Sequence, residues 1–279
     1  MGVDRRKFVK IAGAAALGLT AAPPIKLFSS ETEEKADTSL CNTATDSCVC
    51  KPPEVDPVEQ GLKKDPTRWA MVVNLGECRK HEDCKDCILA CHETHNVPDF
   101  PKKKDEVKWI WKEQFSHAFH EVENEFGDEE LNHSPALLLC NHCDNPPCVK
   151  VCPTQATWKR EQDGIVMMDW HRCIGCRYCL AACPYGSRSF NYRDPRPHIK
   201  EINTDFPTRM RGVVEKCTFC DERLAEGKLP ACVDACKYGC LTFGDLEDAD
   251  SKVRELLHSH FTIRRKPGLG TQPEVFYIV

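Results

Sequence analysis

The chain has 279 residues, 41% of them hydrophobic and 29% charged, and a formal net charge of −5. That length suits one folded domain or two fused small ones, and so modest a negative charge carries no nucleic-acid signal. No stretch reaches the roughly 20 consecutive apolar residues of a membrane span, which predicts a soluble body held at a membrane by partners or by its N-terminus.

Residues 1–22 read as an export segment. Asp4-Arg5-Arg6-Lys7-Phe8-Val9-Lys10 is a twin-arginine pattern, and the weakly apolar Ile11 to Ala22 that follows is rich in Ala and Gly and too short to span. The twin-arginine route carries folded cargo, which places the mature protein on the extracytoplasmic, periplasmic face of the membrane. Thr20-Ala21-Ala22 offers small residues to a peptidase, but Pro23 hinders cleavage there, so a retained N-terminal anchor stays open. Residues 23–66 form a Pro-rich acidic linker, with Pro23-Pro24, the run Glu31 to Asp37, and Pro52, Pro53, Pro57 and Pro66. Such a composition buries little and is expected to be extended or bound to a partner.

Order is predicted from Trp69, where Trp69-Ala-Met-Val-Val-Asn74 reads as a strand, and residues 67–247 form the functional body. Four cysteine quartets run through it: Cys78-x5-Cys84-x2-Cys87-x3-Cys91, Cys140-x2-Cys143-x4-Cys148-x3-Cys152, Cys173-x2-Cys176-x2-Cys179-x3-Cys183 and Cys217-x2-Cys220-x11-Cys232-x3-Cys236. The strand Gly164 to Asp169 enters the third quartet as Met71 to Asn74 enters the first, an imperfect internal repeat. Residues 153–162 and 184–194 supply connecting turns and strands, and Arg211 to Lys216 precedes the fourth quartet. Pro98 to Pro135, with Trp109, Trp111 and Phe115, reads as an insertion of strand and loop. Residues 248–279 are expected to hold a helix capped by Asp248 or Asp250 and running through Leu257, with Val253, Leu256 and Leu257 on one face. A tail ending Val275-Phe-Tyr-Ile-Val279 is then expected to pack back on the surface or to serve as an interface.

Cysteine in this arrangement points to iron–sulfur chemistry. The third quartet, followed by Pro184, is the bacterial ferredoxin run C-x2-C-x2-C-x3-C-P, whose fourth cysteine ligates the other cluster of a pair. Structural zinc sites use two pairs separated by a spacer, and four cysteines within one eleven-residue loop crowd too many thiolates together for that arrangement. Disulfide scaffolds are short and do not repeat this pattern. Because metal binding is part of the folding free energy of such a protein, the apoprotein is expected to fold poorly. Cys41, Cys48, Cys50 and Cys240 match no ferredoxin run and read as free thiols or a disulfide, with Cys240 a buried neighbour of Cys236.

Residues around the quartets divide between tuning and bland roles. Gly175 suits a tight turn that aims amides at sulfur, and Pro146-Pro147 stiffens the second loop. Lys150, Arg177, Lys216 and Lys237 either stabilise a reduced anionic cluster or are solvated surface charges. His142 reads as a hydrogen-bonding or surface residue in preference to a ligand, and His92 and His95 are ambiguous. No covalent haem signature, phosphate loop or nucleotide fingerprint occurs.

The quartets, above all Cys140-Asn-His-Cys-Asp-Asn-Pro-Pro-Cys148 and Cys217-Thr-Phe-Cys220 with Pro230-Ala-Cys232, resemble the four-cluster ferredoxin-type iron–sulfur subunits of bacterial and archaeal membrane redox complexes. Within that family, Arg193-Asp-Pro-Arg-Pro197, Phe206-Pro-Thr208 and Arg211-Gly-Val213, with the twin-arginine signal, are most similar to the DsrO type of dissimilatory sulfur metabolism. The resemblance implies an α+β, loop-rich fold of two ferredoxin-like units, each holding two [4Fe–4S] clusters, one inserted in the other. It also implies the ligand sets: Cys78, Cys84, Cys87 with Cys236; Cys217, Cys220, Cys232 with Cys91; Cys140, Cys143, Cys148 with Cys183; and Cys173, Cys176, Cys179 with Cys152. Two departures stand out: the first quartet has x5 where x2 is usual, which puts Cys78 in question, and His92 and Lys237 replace the proline that follows Cys152 and Cys183. The implied role is non-catalytic electron transfer in a membrane-associated respiratory complex. An integral quinone-reactive subunit and a multihaem cytochrome c are the implied partners. The electron-transfer subunit of a molybdopterin reductase of polysulfide, tetrathionate or nitrite type is the alternative, and a standalone redox enzyme a weaker one.

Overall fold

Along Trp69 to Asn74 successive side chains leave a strand on opposite faces. Trp69, Met71 and Val73 enter the main core beside Phe243 and Tyr277, while Ala70 and Val72 enter a smaller one with Phe276, Leu246 and Val253. A strand buried on both faces belongs inside a sheet, not at its edge. The computed structural model describes residues 68–121 and 129–279. The twin-arginine pattern, the linker, and Cys41, Cys48 and Cys50 lie outside the described residues.

The described strands are short: β1 (Trp69–Asn74), β2 (Ile110–Gln114), β3 (Pro135–Leu139), β4 (Thr157–Lys159), β5 (Val166–Met168), β6 (Ser189–Phe190), β7 (Val214–Glu215), β8 (Leu241–Asp245), β9 (Thr262–Ile263) and β10 (Val275–Ile278). One four-stranded sheet has the order β8-β1-β10-β9. In it β1 runs parallel to β10, with Val72 opposite Phe276, and antiparallel to β8, with Met71 opposite Phe243. The remaining strands pair as two-stranded antiparallel ribbons, β2 with β3, β4 with β5 and β6 with β7. Short helices and long loops fill the intervals, so the fold is α+β and loop-rich.

Two expectations for the C-terminal segment are corrected. Val275 to Ile278 is not a surface tail; it is an interior strand between β1 and β9, with Val275 and Tyr277 0% exposed. Four apolar residues in a row fill both faces of a strand, and only the open side of β1 decides that they are used so. The helix Lys252–Ser259 is capped by Ser251, whose hydroxyl accepts from the Arg254 amide at 3.2 Å and donates to the Asp245 carbonyl at 2.7 Å. Asp248 accepts instead from the Asp250 amide at 3.1 Å, closing the turn before the helix. Val253, Leu256 and Leu257 do face the smaller core.

A buried ion pair joins the ribbons to the helical part. Glu215, on β7, is 0% exposed and lies 2.6 Å from the Arg209 guanidinium. It also accepts from Trp109 Nε1 at 3.0 Å and from the Asn191 side chain. Arg209 stacks over Trp109 and Trp170 and donates to the Asn96 carbonyl at 2.9 Å and to that of His95. Removing one partner of such a pair strands a charge in low dielectric, which costs about 3–5 kcal/mol. Glu215→Ala is therefore expected to lower the melting temperature of anaerobically purified protein sharply, whereas Glu226→Ala, at the surface, leaves it unchanged. Deleting residues 275–279 removes the strand between β1 and β9, and limited proteolysis is expected to find no protected core.

Candidate metal centres

Three of the four quartet loops start where a strand ends. Asn74 closes β1 and caps the helix Leu75–Arg79 through its side chain, which accepts from Glu77 N at 3.0 Å; Cys78 lies on that helix. The helix Asp86–Thr94 carries Cys87 and Cys91 about one turn apart, both buried. Cys140 follows β3 directly, and Pro147 starts the helix Pro147–Lys150 that carries Cys148, a position where proline's missing amide costs nothing. In the third loop Gly175, at φ +69°, passes so close to the Gly212 carbonyl that any Cβ would collide with it. Cys217 follows β7 after Lys216, and Phe219 and Cys220 take positive φ values of 59° and 54° to turn the chain around.

These loops bring distant cysteines together. Cys78, Cys84 and Cys87 line one cavity with Cys236, and Cys240 lines it too. Cys140, Cys143 and Cys148 line a second with Cys183. Cys91 interacts electrostatically with Cys220, Cys217 and Cys232. Cys152, Cys173 and Cys179 pack in one apolar cluster, with Cys176 half-buried in the intervening loop. The sets also adjoin in a definite order. Cys87 interacts with Cys91 and Cys232, Cys217 with Cys140, and Cys179 with Cys148. Cys78, Cys84 and Cys236 at one end and Cys152, Cys173 and Cys176 at the other are half-buried, while most sulfurs between are buried.

Burial dominates the acidity of these thiols. It pushes Cys87 and Cys217 up to about 12, and Cys91 and Cys220 well above the ordinary value, with neighbouring cysteines adding to the effect. Cys152 goes the other way: burial raises it, but hydrogen bonds from Thr157, Thr154 and the Ala156 amide outweigh that and lower it. Backbone amides point at sulfur from Phe219 to Cys217 and from Ala231 to Cys220, each at 3.4 Å, and from Cys240 to Cys236 at 3.3 Å.

Of the four cations singled out in the sequence, Lys216 alone is inside. Its side chain is fully buried and donates to the Cys217 carbonyl at 2.6 Å and to that of Val166. Lys150 reaches Asn145, Lys237 pairs with Asp86 at 2.9 Å, and Arg177 stacks on Phe190 and Tyr192, all with exposed side chains. The sequence reading missed Arg188. Its Nη2 donates to Cys148 Sγ at 3.0 Å and to Thr157 Oγ1 at 2.8 Å, and its charge also faces Cys179, Cys140 and Cys183. The one available signal was a cation just ahead of a strand leaving a cysteine loop. His142 is buried; its Nδ1 accepts from the Val166 amide at 3.2 Å, and its ring stacks on Phe219 at 3.7 Å, between two cysteine loops. His95 is hydrogen-bonded at both nitrogens, to the Cys91 carbonyl at 2.8 Å and to Glu222 at 2.9 Å, and His92 is half-buried. Trp109 is packed and hydrogen-bonded inside the core.

Every cysteine among the described residues is free. Sets of thiols crowded against apolar walls, with amides aimed at sulfur and a buried guanidinium on one of them, fit an iron–sulfur cube held by four thiolates. They do not fit a disulfide framework.

A family profile described as "4Fe-4S dicluster domain" matches residues 134–196 and 202–246. The Hdr-like menaquinol oxidoreductase iron–sulfur subunit 1 of Archaeoglobus fulgidus is 38% identical, over 99% of this chain and 97% of its own length. The menaquinone reductase iron–sulfur cluster-binding subunit of Nitratidesulfovibrio vulgaris is 35% identical over 78% of this chain and 91% of its own. A polysulfide reductase polypeptide of Wolinella succinogenes is 36% identical over 70% and 87%. The chain belongs to the family of ferredoxin-type iron–sulfur subunits of membrane redox complexes, and [4Fe–4S] clusters are its cofactors.

Arginine keeps its charge in any protein environment, and a fixed cation on a ligand sulfur favours the reduced, more anionic state. Arg188→Gln is expected to lower at least one midpoint potential in a redox titration followed by electron paramagnetic resonance. Arg188→Lys should lower it less, and Arg177→Gln, at the surface, should leave all potentials in place.

Proposed function

We propose that this chain is a non-catalytic electron-transfer subunit that holds four [4Fe–4S] clusters in a row. The observation that carries this reading is the adjoining order of the four sulfur sets, with half-buried sets at the two ends. In this reading Cys78, Cys84, Cys87 and Cys236 hold one cluster; Cys91, Cys217, Cys220 and Cys232 the next; Cys140, Cys143, Cys148 and Cys183 the third; and Cys152, Cys173, Cys176 and Cys179 the last. Each cluster, when bound, supplies a reversible one-electron step. The protein's own part is placement and tuning. Amides and Arg188 polarise the sulfurs, apolar walls exclude water, and the buried Glu215–Arg209 pair fixes the loops relative to one another. The exchange of Cys236 into the first loop and of Cys183 into the second supports two ferredoxin-like units, the one built on the second and third quartets inserted in the other.

The partners follow from the same reading. A wire with two accessible ends works between an integral, quinone-reactive membrane subunit and further redox subunits, and the relatives named as menaquinol oxidoreductase and menaquinone reductase subunits support this. The stretches Arg193 to Pro197 and Arg211 to Val213 favour the DsrO type, in the DsrMKJOP complex associated with sulfite reduction, where a multihaem cytochrome c is a neighbour. Relatives named as components of tetrathionate reductase and polysulfide reductase favour the second reading, the electron-transfer subunit of a molybdopterin reductase. Among the described residues no helix is long and apolar enough to cross a membrane. Arg5-Arg6 supports export in folded form to the extracytoplasmic face.

Anaerobic assay is expected to give about sixteen irons and as many acid-labile sulfides per chain. Cys176→Ser should cost one cluster and Cys48→Ser none; the reverse outcome would overturn the division of ligands from spare cysteines. Replacing both Arg5 and Arg6 by Lys should leave the holoprotein in the cytoplasm with its clusters intact, and subunits that co-purify from solubilised membranes should identify the complex.

A further inference from the structure

Cys240 matches no quartet, yet the fold delivers it to one. Gly239, at φ +63°, reverses the chain after Cys236, and Cys240 then sits at the entry to β8. Its carbonyl accepts from Asn74 N at 2.8 Å, and its amide donates to Cys236 Sγ at 3.3 Å. Asn74 also caps the helix that carries Cys78, so one residue anchors both cysteines from opposite directions. The Cys240 side chain lines the same cavity as Cys78, Cys84, Cys87 and Cys236, and its thiol interacts with the sulfurs of Cys236 and Cys78. Cys240 is 4% exposed, whereas Cys78 is half-buried. Cys78 is also the cysteine separated from its loop by the long x5 spacing.

Four thiolates saturate the corners of a [4Fe–4S] cube, so a fifth thiol in the cavity is surplus. A surplus thiol beside a ligand, on a backbone held by hydrogen bonds, needs little rearrangement to replace it. We propose that Cys240 is a reserve ligand of this site, taking the iron position of Cys78 whenever the Cys78 sulfur is removed or dissociates. In the exchange one iron–sulfur bond to Cys78 breaks and one to Cys240 forms. The Cys240 proton passes to the departing Cys78 sulfur, or to solvent where that sulfur has been removed, and no electron changes hands. The proposal rests on the four-cluster reading.

The test uses the full-length chain purified anaerobically, with iron and sulfide content and the spectrum of the reduced protein as readouts. Cys78→Ala and Cys240→Ala are each expected to keep the full iron content, Cys78→Ala with an altered spectrum. The double variant is expected to lose about four irons. Cys87→Ala, at a position whose iron bond the proposal does not assign to Cys240, is expected to lose the same cluster on its own. Loss of iron from Cys78→Ala alone, whether one atom or the whole cluster, overturns the reserve role, as does loss from Cys240→Ala alone. Full iron in both Cys87→Ala and the double variant would instead defeat the reading of this cavity as a cluster site.

Discussion

Much of the structure depends on one electrostatic constraint, the crowding of thiols in low dielectric. A cysteine serves as a ligand only as thiolate, and burial among other sulfurs opposes that ionisation. Cys87 and Cys217, pushed up to about 12, show how strongly these cavities resist bare thiolates. Iron supplies the positive charge that makes the thiolates tolerable, so cofactor binding is expected to be part of folding. The same demand accounts for the polar groups that point inward. Amides of Phe219 and Ala231 face sulfur, Arg188 donates to Cys148, and Lys216 lies buried beside Cys217.

Ordinary hydrophobic structure is arranged to serve those cavities. The four-stranded sheet has little area, yet it seats both Asn74, which starts the first loop, and Cys240, which ends the last. The ribbons β4–β5 and β6–β7 frame the second and third loops, and Arg188 bridges them by bonding Thr157. The Glu215–Arg209 pair then ties the ribbons to Trp109 and to the backbone at Asn96. A buried ion pair contributes little net stability compared with apolar packing, but it tolerates only one arrangement of its partners. Uniqueness of arrangement is what a row of redox centres needs, because spacing between them governs transfer.

In the proposed row of clusters, the half-buried ends and buried middle divide the molecule by task. Sulfurs in the middle are shielded from solvent and influenced by fixed charges. Those at the ends lie under thin cover, with exposed side chains such as Ile174 and Tyr178 around the third loop and Tyr238 near the first. Tyr238 and His81 stack at 3.5 Å and both line the cavity shared by Cys78 and Cys236, His81 lying within the x5 interval.

Cysteine spacing determined the chemistry and, with the motif residues around it, the resemblance to the family, because a ferredoxin loop is a local device: three thiols and a tight turn are encoded in consecutive residues. The strand at Trp69, the apolar face of the helix ending at Ser259 and the turn at Gly175 were legible for the same reason, each following from local periodicity or a backbone restriction. What the sequence left undecided depends on contacts between distant segments. Val275 to Ile278 becomes an interior strand only because β1 has an open side, and Ser251 caps its helix only because the Asp245 carbonyl is there to hold its hydroxyl. Arg188 looks like any surface cation until β4 and Cys148 enclose it, and Lys216 is distinguished from Lys150 and Lys237 by burial alone. Cys240 reads as a spare until the turn at Gly239 and the bond to Asn74 bring it into the cavity of the first set. Local spacing marks the cysteines that are candidate ligands, whereas only the packing of segments far apart in the chain sets the order of the sites, the charges between them and the fifth thiol beside the first.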